Sequence, residues 1–207
     1  MIDLYCERTT EGLFAEPLNL VTNLGFILAA YFLFKIAARH NKLAPSIKIL
    51  ILLTIAIGLG SALFHMFANR FTQILDVIPI FLFQIIFLVV YLRHVVGQSS
   101  RNEILLCSFF ILMSILSTQF SQTLNNSLSY APSLLSLLGI GVYQISTKKK
   151  FANHILIAAF LFFIALIFRT LDPLLCNYFP IGTHFMWHIL NSIVIYLIMK
   201  VLILNFK

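Results

Sequence analysis

The chain predicts an all-α membrane protein, a bundle of seven transmembrane helices. Two observations carry this. Of its 207 residues, 60% are hydrophobic and only 10% are charged, where a soluble domain keeps roughly a quarter of its residues charged. The apolar residues also fall into seven runs, each near the ~20 residues that a spanning helix needs. The runs cover residues 18–38, 46–67, 72–95, 103–120, 129–146, 152–170 and 181–204. Together they use nearly the whole chain, which makes residues 1–207 a single domain.

The first run follows an acidic segment and lacks the basic start of a secretory signal, so it reads as a true span. Pro17 and Pro45 stand at the first turns of the first two spans, where a missing N–H costs nothing. Asn125-Asn126 and the stretch from Asp172 to Pro180 read as loops. The net charge of +7 would suit a nucleic-acid partner, but its placement argues for topology instead. Eleven of the 14 Lys and Arg residues, among them Lys148, Lys149 and Lys150, fall on one side of a seven-span arrangement. Only Arg8, Arg70 and Arg169 fall on the other. Basic loops stay in the cytoplasm, which puts the N-terminus outside and the C-terminus inside.

Polar side chains in hydrocarbon are expensive and turn toward the bundle interior. Ser61 and His65 lie near the outer end of the second span, in SALFH. Asp76 opens the third, in LDVIP. His184 and His188 open the seventh, in GTHFMWH, and Asn191 follows one turn on. Asn19 and Asn23, preceded by Glu16, open the first. Residues four apart share a helix face, and all these groups lie at one membrane depth. Three imidazoles and a carboxylate at one depth suit zinc, which takes three protein ligands and leaves a fourth position open in catalytic sites. The H-x-x-x-H spacing would also suit haem iron held by one histidine from each of two helices. HExxH is absent, so a zincin-type protease is not indicated. His40, His94 and His154 sit among the basic loops and read as packing residues.

The first 17 residues hold Asp3, Glu7, Glu11 and Glu16 against Arg8. Such oxygen ligands suit Ca²⁺; equally, the segment reads as a solvated acidic arm. Cys6 and Cys176 both fall on the outer side and could pair if that side is oxidising. Cys107 reads as a small core residue.

Taken in order, YCE near the N-terminus, AEPLNLVTN, SALFH, the Asp of LDVIP and GTHFMWH resemble the alkaline ceramidases. More broadly they resemble the CREST superfamily of seven-helix membrane hydrolases. The resemblance implies a zinc-dependent hydrolase that cleaves ceramide-like N-acyl sphingoid lipids to a fatty acid and a sphingoid base. His65, His184 and His188 would hold zinc, Asp76 would handle the water's protons and Ser61 would assist at the carbonyl. It implies a calcium site on the arm at Glu7, Glu16 and Asn19, with Asp3 as a further ligand, and a Cys6–Cys176 disulfide. The compact length and short loops suggest a bacterial member with its site on the periplasmic side. From the residues alone a second reading stays open: a receptor-like or structural seven-helix protein whose zinc is closed by Asp76.

Overall fold

The computed structural model describes residues 2–120 and 124–207, and among them there are helices and no strand. The α-helices are α1 (Pro17–Thr22), α2 (Leu24–Arg39), α3 (Pro45–Phe67), α4 (Arg70–Tyr91), α5 (Ser100–Thr118), α6 (Ala131–Ser146), α7 (Ala152–Leu175) and α8 (His184–Asn205). They form seven stretches long and apolar enough to cross a membrane, with α1 and α2 together making the first, Pro17–Arg39. α8 lies deepest, packed on α7 and α2, while α3 packs on α4 and α2. Large apolar side chains on the outside, such as Leu52, Phe109, Leu135 and Phe160, are exposed. A belt of that extent suits lipid rather than water, so the chain is an integral membrane protein.

Local chemistry explains the turns. Ala68, left-handed at φ 43°, ends α3. Asn69 then opens α4 with a capping box: its side chain accepts the Thr72 N–H at 3.0 Å, and its own N–H donates to the Thr72 hydroxyl at 3.2 Å. The two orphan donors at this helix start are thereby satisfied. The arm joins the same corner, with the Ile2 N–H donating to the Ala68 carbonyl at 2.7 Å.

Two prolines sit inside helices. Each lacks the N–H that its i−4 carbonyl would accept. Pro79 in α4 leaves the Leu75 carbonyl without that donor. This oxygen lies against Gly60 of α3, where any Cβ would overlap it. Pro173 in α7 likewise leaves the Arg169 carbonyl, which instead accepts the Asn125 side-chain amide at 2.9 Å. With that carbonyl satisfied, α7 continues to Leu175. The structure therefore corrects one expectation: Asp172 and Pro173 belong to the sixth spanning helix, not to the loop after it.

Candidate metal centre

His65 comes from the last turn of α3; His184 and His188 begin α8, one turn apart. All three are buried, at 1%, 2% and 2% exposure. One ring nitrogen from each lies within 4.8 Å of the others, and no further group of this kind forms among the described residues. The i,i+4 pair fixes two of these nitrogens on one rigid helix, and α3 brings the third across.

Hydrogen bonds set the tautomers. Glu16 lies 2.5 Å from Nδ1 of His65. Its carboxylate is held below its ordinary range: burial pushes it up, but hydrogen bonds from His65, Asn19 and Arg8 outweigh that. An ionised carboxylate only accepts, so Nδ1 of His65 carries a proton, and Nε2 is the ring atom turned to the other histidines. The Thr22 hydroxyl is 3.0 Å from Nδ1 of His188 and donates to the Leu18 carbonyl at 2.7 Å, so it accepts from that ring. That leaves Nε2 of His188 turned to His65. These two Nε2 atoms stand 3.2 Å apart. With both rings neutral, two lone pairs would face each other there, and they repel unless a proton or a metal ion sits between them. Zn–N bonds of about 2.0–2.1 Å in tetrahedral geometry place two ligand nitrogens about 3.3 Å apart. Nδ1 of His184 is buried without any hydrogen-bond partner, as a nitrogen reserved for a metal would be. The three residues thus fit a metal ion, and their all-imidazole chemistry suits zinc.

Ser61, one turn before His65, is buried with its Oγ 3.4 Å from Nε2 of His188. Asp76, half-buried on α4, stands close enough to Ser61 for their charges and dipoles to interact. Gly60 makes this reach possible, because the α3 and α4 backbones meet at its missing side chain. Asp76 is not one of the three converging ligands.

The arm covers this group. The Tyr5 ring stacks on His184, with centroids 3.6 Å apart, and burial pushes its phenol pKa up, so the hydroxyl stays neutral. Cys6 and Cys176 form a disulfide. Asp172, fully buried, gathers the pieces: it accepts the backbone N–H groups of Cys6 at 3.1 Å, Thr183 at 2.5 Å and His184 at 2.9 Å. It thus satisfies orphan donors at the start of α8. Gly182, left-handed at φ 69°, leaves room for that carboxylate.

Residues 4–206 match the ceramidase family. The chain belongs to the ceramidase family. It is therefore a ceramidase-type hydrolase, an amidohydrolase that acts on a lipid substrate. No curated protein matches the sequence closely enough to add to this.

In this ceramidase the arm carboxylates have other partners. Glu7 accepts the backbone N–H groups of Leu18 and Asn19 at 2.6 and 2.8 Å, capping the start of α1. Burial pushes the Glu7 carboxyl upward, opposed by those two bonds. Glu16, 2% exposed, is ion-paired to Arg8 at 2.5 Å and accepts from Asn19 at 3.0 Å. Arg8 also donates to the His65 carbonyl at 2.7 Å. Asp3 is exposed. The side-chain oxygen of Asn19 is buried with no donor. The residues that sequence reasoning missed are Thr22, Asp172 and Arg8. The first two are ordinary helix-end residues until their distant partners are known. Arg8 was visible only as the one cation among acids.

An apolar cavity lies between the helices, lined by Tyr130 and Trp187 together with Phe26, Phe83, Phe87 and Ile198.

Proposed function

We propose that this ceramidase is a zinc-dependent amide hydrolase. It would cleave N-acyl sphingoid lipids to a free fatty acid and a sphingoid base, with His65, His184 and His188 as the zinc ligands. The observation that carries the reading is the approach of the His65 and His188 Nε2 atoms to 3.2 Å, beside a third buried imidazole and a carboxylate outside the ligand set. Zinc would supply Lewis acidity, lowering the pKa of water to about 7 and polarising the amide carbonyl.

The chain's own groups do the rest. Asp76 accepts the proton of the attacking water and returns it to the amine as the C–N bond breaks. Ser61, next to His188, donates its one O–H to the carbonyl oxygen as it becomes negative. Glu16 and Thr22 hold the His65 and His188 rings in their tautomers. The cavity beside Trp187 accepts the acyl chain, an apolar lining for an apolar ligand.

The orientation we propose is N-terminus out, so that the metal group faces the outer leaflet, in a bacterium the periplasmic side. We also propose calcium on the arm at Glu7, Glu16 and Asn19, with Asp3 as a further ligand. The undonated Asn19 oxygen supports it, and Arg8 on Glu16 would share the site.

Asp76 separates catalysis from a structural metal that it would close. Asp76→Asn should keep zinc and lose hydrolysis by about 10²–10⁴-fold, the range for a general acid–base residue. Zinc content and fatty-acid release are measured on one preparation, with several N-acyl lipids offered. Zinc lost together with activity would make Asp76 a ligand, and full activity would remove it from the mechanism.

A further inference from the structure

Arg169 stands on α7 within the bundle, 91% buried. Its Nη1 donates a long bond, 3.4 Å, to the Tyr5 hydroxyl, and its Nε is buried with no acceptor. None of the ion pairs among the described residues includes it. Asp76 lies within electrostatic reach but not in ion-pair contact. Tyr5 offers it only a phenol oxygen. A buried cation without an anion in contact is costly. The faces of Tyr130 and Trp187, 5.5 and 5.1 Å from the guanidinium carbon, offset part of that cost. Ring faces, however, accept nothing in the guanidinium plane, where its N–H donors point.

The location is informative. Tyr130 and Trp187, whose rings the guanidinium meets, line the apolar cavity, and Tyr5, which Arg169 touches, stacks on His184. Arg169 therefore stands one ring from the cavity on one side and one ring from the histidine cluster on the other. An acyl chain in the cavity with its first carbon at the histidines would pass these rings. After hydrolysis that carbon is a carboxylate, the planar anion that a guanidinium fork matches with two parallel bonds.

We propose that Arg169 binds the carboxylate of the fatty acid released in the reaction. The proposal rests on the hydrolase reading, since it assigns a ligand to the same cavity. It makes the enzyme sensitive to its own product, and it makes a free fatty acid a ligand in its own right.

Trp187 is the chain's one tryptophan, so its fluorescence reads occupancy directly. Zinc-loaded protein in detergent is titrated with palmitate and with hexadecanol, which share the chain and differ in the head. Wild type should respond to palmitate at a concentration at least about tenfold lower, as a charge-assisted bidentate pair predicts. Arg169→Gln should bring the two ligands to within about twofold with zinc content unchanged, and Arg169→Lys, a cation without the planar fork, should retain part of the preference. In the hydrolysis assay palmitate inhibition should weaken in the same order.

A wild type that does not prefer palmitate overturns the proposal, whatever the variants do. So does an Arg169→Gln protein that keeps the full preference, because the metal centre alone would then account for it. If Arg169→Gln does not fold, an undiminished preference in Arg169→Lys counts against the fork. A wild type that prefers palmitate but hydrolyses no lipid amide leaves the Arg169 site standing and removes the hydrolase reading.

Discussion

Glu16 serves three neighbours at once. One carboxylate oxygen holds Nδ1 of His65 and accepts from Asn19; the other pairs with Arg8. A partner of this kind fixes a ligand's ring and raises its basicity, and its loss commonly weakens metal affinity 10–100-fold. Glu16→Gln should therefore bind zinc about 10–100-fold more weakly in competition with a chromogenic chelator, and it should melt at a lower temperature because Arg8 loses its buried anion. Unchanged affinity would mean that Thr22 and the helix frame orient the ligands unaided. At this scale the sequence was partly legible. His184 and His188 announce themselves by four-residue spacing, and His65 and Asp76 by depth. Arg169 gave no such signal: it could be counted among three outer cations, but its burial beside Trp187 depends on how α7 packs.

The arm and the two proline-containing helices act as elements. Glu7 caps α1, Asp172 gathers the start of α8, and the Cys6–Cys176 bond fastens the arm beside it. Closing a loop with a sequence separation of 170 is worth a few kcal/mol in the chain-entropy model. If calcium sits at Glu7, Glu16 and Asn19, the melting temperature in detergent should be higher in calcium than in a calcium-selective chelator, because a ligand of the folded state alone stabilises it. Equal melting temperatures would leave Arg8 as the cation that serves Glu16. Spans of near-correct length were readable because a helix needs a fixed number of apolar residues to cross a membrane. The continuation of α7 through Pro173 was not, because the group that satisfies the Arg169 carbonyl, Asn125, lies 44 residues away.

Over the whole molecule, the apolar fraction and the segregation of basic residues dictated seven spans before any contact was known. The same segregation predicts sidedness. Cysteines placed at Lys148, Lys149 and Lys150 should be labelled only after the inner side is opened, and a cysteine at Glu11 should be labelled from outside. The reverse pattern would invert the bundle and place the metal group toward the cytoplasm. The cavity was not readable, since Phe26, Phe87, Trp187 and Ile198 come from three helices and each alone is an ordinary core residue.

The near-complete burial of His65, His184 and His188 beneath a tethered arm also has a meaning in time. An ion held there cannot escape straight into solvent; Tyr5 must first unstack and the first residues lift. Stripping by a strong chelator should then proceed at a rate that stops rising with chelator concentration, a plateau set by how often the lid breathes. Reducing the Cys6–Cys176 bond should raise that plateau even where equilibrium affinity barely changes. Thermodynamic tightness and residence would thus be governed by different residues, the histidines for the first and a pair of sulfurs for the second.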